Sequence, residues 1–214
     1  MQKIKTSVCE RKLRLHILGY YLRALPRALW KLSYNTIFYF VAYSIGAVEV
    51  LFFLLRQKFL GNKLPHFYIV DELNLTRGGQ PSKSGIKTLV RAGIKTIINL
   101  RIKDFNHRVV KEYYDDMIRT VHIPFYPYEP QDRAVIEFLK IVCNPNNLPT
   151  FVHCFHGMDR TGLMVAVYRI VVQNWSKEEA IREMKTKGLH WYHRNMIDYI
   201  ERMDVETIRQ RLRE

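Results

Sequence analysis

A ten-residue segment, residues 153–162, most constrains the fold of this chain. It reads His-Cys-Phe-His-Gly-Met-Asp-Arg-Thr-Gly and stands between two apolar runs, Thr150 to Val152 before it and Leu163 to Ile170 after it. The first run predicts a buried strand and the second predicts a helix. A tight turn from strand to helix aims several backbone N–H groups at one point, and the helix dipole adds positive charge there. The segment therefore predicts an α/β fold with an anion-binding turn.

The side chains of this turn suit phosphoryl transfer. The positive field, with Arg160 nearby, favours Cys154 as a thiolate, which is the nucleophilic form of the side chain. The planar guanidinium of Arg160 can hold two phosphoryl oxygens at once. The Thr161 hydroxyl can donate to the sulfur when it leaves a phosphocysteine intermediate. The pattern predicts two successive displacements with Cys154 as the nucleophile.

Residues 153–162 resemble the signature loop of the cysteine-dependent protein tyrosine phosphatase superfamily. The resemblance to its compact bacterial dual-specificity-like branch extends to residues 78–81, 93–101 and 175–180, so it covers about residues 67–205. It implies the phosphatase fold, an α/β sheet with helices on both faces, and a reaction that needs no metal or other cofactor. His153 would support the loop by hydrogen bonding to its backbone. The residues expected to contact the substrate are Phe155, His156, Gly157, Met158 and Thr161.

Several carboxylates are candidates for the general acid that protonates the leaving oxygen. In the wider superfamily it is an aspartate on a loop upstream of the cysteine. The residues at the corresponding position of this chain, 123–126, contain no carboxylate. Glu129 and Asp132 follow a little later, and Asp132 could instead cap a helix. Asp159 stands inside the turn, where it could alternatively orient Arg160. We favour Asp159 as the acid, with Asp132 as the alternative.

The N-terminal part has a different composition. Residues 32–55 are apolar except for Glu49, and a run of that length can cross a bilayer. Lys31 and Arg56 flank the run as interfacial anchors would. Residues 1–31 are basic and could lie on anionic lipid as an amphipathic helix. We divide the chain into residues 1–63, with a predicted transmembrane helix at about residues 32–55, and a catalytic domain at residues 64–214.

The charge of the chain follows this division. Residues 1–63 contain 11 basic residues (lysine and arginine) and 2 acidic residues. Residues 64–214 contain 23 basic and 18 acidic residues. The basic excess therefore belongs mainly to the membrane segment, and no nucleic-acid partner is needed to explain it. The chain has 3 cysteines, which do not indicate a disulfide framework.

These observations predict a single-pass membrane protein that hydrolyses phosphate monoesters on phosphorylated proteins, with its catalytic domain on the cytoplasmic side. The alternative is a phospholipid phosphatase of the same superfamily, acting for example on phosphatidylglycerophosphate or a phosphoinositide. The contrasting class is a catalytically silent phosphate-binding module at the membrane. The oligomeric state is left open.

The local patterns also predict individual elements. Ser82 is expected to cap a helix, and Ser176 with Glu179 forms a capping-box pattern. Residues 78–81 are expected to be a turn. The remaining expected helices are residues 107–118, 133–143 and 194–212, and the expected strands are residues 67–70, 96–100, 120–123 and 150–153.

Overall fold

The computed structural model describes residues 63–72, 74–104, 106–114 and 116–214. The predicted basic segment at residues 1–31 and the predicted span at residues 32–55 lie outside these ranges. Within the ranges, no helix combines the length and the apolar character that crossing a bilayer requires.

A five-stranded mixed sheet forms the centre of the fold. Its strands are β1 Tyr68–Asp71, β2 Leu75–Gly78, β3 Thr96–Asn99, β4 Arg119–His122 and β5 Thr150–His153. The helices of the described part are α1 Lys83–Arg91, α2 Asn106–Tyr113, α3 Asp132–Val142, α4 Asp159–Val171, α5 Lys177–Thr186, α6 Arg194–Arg202 and α7 Val205–Arg213, with a short 3-10 helix at Pro145–Asn147.

The strand order is β1-β2-β5-β3-β4, with β1 antiparallel to β2 and the other neighbours parallel. In this register His153, the last residue of β5, lies opposite Gly78 at the end of β2 and Asn99 at the end of β3. Ligands of such sheets bind beyond the carboxyl ends of the strands. Cys154 therefore leaves the central strand at the edge where a site is expected.

Alternation along the strands builds a core on each face of the sheet. Ile98 and Val152 belong to the larger apolar cluster, which α3, α4, α5, α6 and α7 cover. Their neighbours Ile97 and Phe151 point to the opposite face and pack with apolar residues of α1 and α2. The expected α/β sheet with helices on both faces is thus confirmed.

The helix caps show both agreement and error. Ser82 caps α1, and Ser176 and Glu179 form the capping box of α5, as predicted. The expected single helix at residues 194–212 is wrong, because Asp204 accepts hydrogen bonds from the backbone of Glu206 and Thr207 and thereby begins a second helix.

Two further expectations need correction. The helix expected at residues 107–118 ends at Tyr113, and a turn leads into β4. The turn expected at residues 78–81 is preceded by strand β2, which pairs with both β1 and β5 and was not predicted.

Candidate active site

The turn between β5 and α4, residues 154–158, surrounds the sulfur of Cys154. The cysteine is 2% exposed, and the backbone N–H of Gly157 donates a hydrogen bond to Sγ over 3.2 Å. A donated N–H of this kind stabilises negative charge on the sulfur. The nucleophile predicted from the sequence thus lies inside the turn, ahead of the first residue of α4.

Four consecutive carbonyl groups of the turn are held by partners outside it. The carbonyl of Phe155 accepts from the backbone N–H of Gln80 over 2.8 Å, and that of His156 accepts from His66 Nδ1 over 2.8 Å. Arg77 Nη2 donates to the carbonyls of Gly157 and Met158 over 2.8 and 3.4 Å.

These anchors decide where the amides of the turn point. In a planar trans peptide, the N–H of a residue points opposite to the carbonyl of the residue before it. With the carbonyls of residues 155–158 turned outward, the N–H groups of residues 156–159 turn to the side of the sulfur. The bond from Gly157 to Cys154 Sγ is the direct observation of this. The turn is a preorganised cup of donors for an anion.

Close backbone contact keeps the cup in place. Gly157 has φ +84°, and a Cβ atom there would lie 2.3 Å from the carbonyl carbon of Gly78. A Cβ atom on Gly79 would lie 2.7 Å from the carbonyl oxygen of His156. Glycine is required at both positions because backbone packs directly on backbone.

Arg77 is a functional residue that sequence reasoning missed. It is 2% exposed and lies on β2, beneath the cup whose carbonyls it holds. Burial lowers the pKa of its guanidinium, and the nearby sulfur of Cys154 acts in the opposite direction. No local pattern marks Arg77, because it stands 80 residues before its partner Gly157.

Two further arginines border the cup. Arg160, predicted to hold the phosphoryl group, is partly buried and donates to the carbonyl of Leu100 over 3.5 Å. Arg101 donates to Gln80 over 2.9 Å, and its guanidinium lies 4.9 Å from the centre of the Phe155 ring. Burial lowers the pKa of Arg101, and so does the positive charge of Arg160.

His153 and Thr161, which stand on either side of the turn, are both fully buried. His153 is fully buried, and its Nδ1 lies 2.9 Å from the carbonyl oxygen of Cys154, so the ring contacts the loop backbone. Burial lowers the pKa of His153 to about 4. The buried Thr161 hydroxyl has no hydrogen-bond partner among the described residues.

Asp159 is engaged by a residue from another segment. His190 Nδ1 lies 2.8 Å from both carboxylate oxygens, and the His190 backbone N–H donates to Oδ1 over 2.9 Å. Burial raises the pKa of Asp159, but the hydrogen bonds and charge of His190 outweigh burial and place it below its usual range. His190 was not predicted as a site residue.

Asp132 and Glu129 are both exposed. Asp132 is the first residue of α3, whose N-cap is Gln131, so the helix-cap interpretation of Asp132 is wrong. Its carboxylate instead accepts a hydrogen bond from the Tyr199 hydroxyl over 2.7 Å.

A cation could be held at one cluster in the described ranges. The ligand atoms of His156, Asp159 and His190 all lie within 4.8 Å of one another. Imidazole nitrogens with a carboxylate oxygen are donors that Zn²⁺ accepts.

Comparison with known proteins places this geometry among phosphatases. The family model described as "PTP-NADK: DSP-PTPase phosphatase fused to NAD+ Kinase" matches residues 66–198. Dual specificity protein phosphatase TpbA of Pseudomonas aeruginosa (strain UCBPP-PA14) is 35% identical over 95 residues, 43% of this chain and 44% of TpbA. Inositol diphosphatase DSP3 of Arabidopsis thaliana is 36% identical over 82 residues, 38% of this chain and 39% of DSP3. The matches thus span less than half the length of these curated relatives.

A solved structure extends the likeness to most of the described chain. The crystal structure of P. aeruginosa TpbA matches with a TM-score of 0.61 and 28% identity, covering 70% of this chain and 92% of that chain. TpbA has also been crystallised as a cysteine-to-serine variant in complex with pTyr.

Proposed function

The chain belongs to the cysteine-dependent protein tyrosine phosphatase superfamily, in its bacterial dual-specificity-like branch, and on this premise we propose that it hydrolyses phosphate monoesters on proteins through a phosphocysteine intermediate. The observation that carries the proposal is the bond from the Gly157 N–H to the buried Cys154 Sγ. It shows an anion-stabilising donor aimed at a nucleophile at the start of a helix.

The first chemical step follows from this geometry. The Cys154 thiolate attacks phosphorus while the amides of the cup and Arg160 hold the phosphoryl oxygens. Before substrate binds, Arg160 donates to the Leu100 carbonyl. It then turns to the phosphoryl group, which it binds more strongly than the carbonyl because the phosphoryl group is charged. The leaving oxygen takes a proton as the bond to phosphorus breaks.

The second step regenerates the enzyme. Water attacks the phosphocysteine, orthophosphate leaves, and the sulfur returns as a thiolate beneath the Gly157 N–H. The Thr161 hydroxyl, which has no other partner within the described ranges, donates to the sulfur as it departs.

Exposed aromatic side chains beside residues 190–193, the segment that bonds Asp159 through His190, favour an aromatic phosphate ester. Tyr128 is 73% exposed and its ring lies 5.4 Å from that of His193, while Trp191 is 66% exposed. Exposed aromatic rings stack on the ring of a bound phosphotyrosine. TpbA, the dual-specificity relative, is crystallised with pTyr. We therefore place phosphotyrosyl protein first among substrates.

A substrate with several phosphates is the second candidate. Arg101 adds a cation beside Arg160, close enough for the charge of Arg160 to lower its pKa. A second phosphate on an inositol diphosphate or on a phosphorylated lipid headgroup would pair with it. DSP3, an inositol diphosphatase, is among the relatives. The phospholipid alternative is retained here because a membrane location would bring such lipids near.

We place the chain at the membrane, with the catalytic domain on the cytoplasmic side. Residues 32–55 and the basic residues before them support this proposal, and that support is the sequence alone. Membrane fractions of cells that express the full chain should retain it after washing with alkaline carbonate. Release into the wash would contradict a transmembrane span.

A phosphate-release panel tests the activity and its substrate. The full chain is assayed on phosphotyrosyl and phosphoseryl peptides, inositol diphosphates and vesicles that contain phosphatidylglycerophosphate. We expect peptide turnover in the wild type and in Cys143→Ser, and none in Cys154→Ser. Cys143→Ser is the control because this free cysteine is exposed at the C-terminal end of α3, whereas Cys154 is buried. Turnover that survives Cys154→Ser would refute the thiolate mechanism. Faster phosphate release from the vesicles than from the peptides would show that the substrate is a lipid and not a protein.

A further inference from the structure

Three side chains from different segments of the chain meet beside the cup. His156 belongs to the turn, Asp159 is the first residue of α4, and His190 lies in the connection between α5 and α6, residues 187–193. Each offers one ligand atom, and these atoms all lie within 4.8 Å of one another. The set contains two imidazole nitrogens and one carboxylate oxygen, donors that suit Zn²⁺ and similar divalent transition metals.

The spacing of these donors suits one small ion. With bonds of about 2.0–2.2 Å in a tetrahedron, two ligand atoms of a zinc ion lie about 3.3–3.6 Å apart. The observed distances bracket this value, because His190 Nδ1 lies 2.8 Å from both Asp159 oxygens and the whole group stays within 4.8 Å. Two imidazoles on one zinc ion have ring centres about 5–6 Å apart. The rings of His156 and His190 are 5.6 Å apart.

The backbone already fixes the position of His190. Its N–H donates to Asp159 Oδ1 over 2.9 Å, which ties the connection to the start of α4. Gly188, at φ +98°, packs on Met158 so closely that a Cβ atom would lie 2.6 Å from its Sδ. The ring of Tyr192 stacks on that of His190 at 5.1 Å and an interplanar angle of 20°. A donor set that is held in place before binding loses less conformational entropy when an ion arrives.

A second observation at the same place also indicates a missing ligand. His193 is 7% exposed, its ring lies 6.5 Å from that of His190, and its Nδ1 has no hydrogen-bond partner among the described residues. A buried polar atom without a partner is costly, and in folded proteins it commonly marks a bound water or ion. The side chains of Asp159 and His190 are only 10% and 14% exposed. The cluster is therefore unlike a group of acids on an open surface.

We propose that His156, Asp159 and His190 bind a divalent transition-metal ion of the zinc class, and that the ion fastens the connection at residues 187–193 to the turn. The ion replaces the hydrogen bonding between His190 Nδ1 and the Asp159 carboxylate. Three protein ligands leave the fourth position of a tetrahedral zinc ion to water. Mg²⁺ and Ca²⁺ do not fit, because they select oxygen ligands. The ion takes no part in the attack by Cys154, so the site is independent of the phosphatase function proposed above.

Zinc binding to the full chain tests the site. The protein is purified without a histidine tag, freed of metal with EDTA and dialysed, and it carries Cys154→Ser so that the thiol of the cup cannot be a ligand. Zn²⁺ should bind in isothermal titration and raise the urea midpoint of unfolding, because it binds the folded state. Mg²⁺ at the same concentration should do neither. Co²⁺ should give the visible absorption of a tetrahedral site without a thiolate charge-transfer band.

Matched variants in the same background locate the ion. His190→Gln and Asp159→Asn should each weaken zinc binding by at least about 10-fold, since even changes behind the ligands of a metal cost 10–100-fold. His156→Gln should do the same and leaves the contact between His190 and Asp159 in place, so it keeps the test valid if the other two variants do not fold. His122→Gln is the control. This histidine contacts the Arg101 carbonyl over 2.7 Å and is outside the cluster, so its loss should leave zinc binding unchanged.

Hydrogen exchange tests the fastening role. Zn²⁺ should slow exchange of the backbone amides of residues 187–193, and it should not do so in His156→Gln, where the turn no longer supplies a ligand. Exchange that is unchanged by saturating zinc would overturn this part of the proposal.

Three results would overturn the site itself. These are the absence of zinc binding, equal binding in all three ligand variants, which would mean an adventitious ion only, and a thiolate band with Co²⁺, which would place the ion on another cysteine. None of these measurements involves turnover. Their failure would therefore leave the phosphatase proposal standing, and inactivity toward phosphate esters would leave the metal site standing.

Discussion

The buried histidine before the nucleophile predicts how the stability of the domain depends on pH. His153 is fully buried, contacts the Cys154 carbonyl through Nδ1 and stacks on Phe151 at 5.8 Å. Burial lowers the pKa of His153 from 6.5 to about 4. The folded protein therefore keeps this side chain neutral in a range where the unfolded chain protonates it.

The sign and size of the effect follow from this difference. Between pH 6.5 and about 4 the unfolded state binds more protons, so the free energy of unfolding falls as pH falls. Each unit of pKa difference corresponds to about 1.4 kcal/mol, so the full loss at low pH is about 3 kcal/mol. Above pH 6.5 both states are neutral at this side chain, and the contribution no longer changes.

Urea unfolding at several pH values, from about 7.5 to 4.5, measures the slope. His153→Asn is the comparison, since an asparagine amide can still donate to the Cys154 carbonyl but does not titrate. The variant should be less stable at neutral pH and lose less stability on acidification. The difference between the wild-type and variant pH profiles is the quantity to measure, because burial also lowers the pKa of His193 and adds a slope of the same sign to both profiles. Parallel pH profiles for wild type and variant would refute the reasoning.

Three substitutions test other contacts. Arg77→Met leaves the Gly157 carbonyl without its buried donor, and should cost about 1–3 kcal/mol in urea unfolding together with most of the activity on aryl phosphates. Gly157→Ala forces an L side chain to φ +84°, which alone costs about 1–2 kcal/mol. The clash with Gly78 adds to it, so activity should fall to background in the same assay; wild-type rates would contradict the cup geometry. Ser176→Ala should lower the unfolding free energy by about 1 kcal/mol without changing kcat/KM, because it removes only the capping box of α5.

Features that depend on neighbouring residues could be predicted from the sequence. The apolar run before Cys154 and the capping pattern of Ser176 gave β5 and the start of α5 correctly. The break between α6 and α7 also had a local signal, since Asp204 precedes Val-Glu-Thr and is a favoured N-cap. The single helix predicted at residues 194–212 was wrong because the apolar periodicity was continued past Asp204, a residue that can begin a helix.

Features that depend on distant residues could not be predicted. Arg77 acts on a carbonyl 80 residues away, and His190 on a carboxylate 31 residues away. Strand β2 has the sequence Leu-Thr-Arg-Gly, which contains no apolar run. It is a strand because it pairs with β1 on one side and with β5 on the other. The contact of Asp159 with His190 could not be predicted either, because the two residues belong to different segments of the chain.

The unpredicted strand explains how the cup is assembled. In the parallel pairing of β2 with β5, Arg77 lies opposite Val152 and Gly78 opposite His153. The chain that continues from Gly78 must then run beside the turn, where the backbone N–H of Gln80 reaches the Phe155 carbonyl. A slip of one residue would send the Arg77 side chain to the other face of the sheet. The carbonyl of Gly157 would then lose its anchor, and its N–H neighbours would no longer be held toward the sulfur. The register of β2 on β5 is therefore a condition for the anion site.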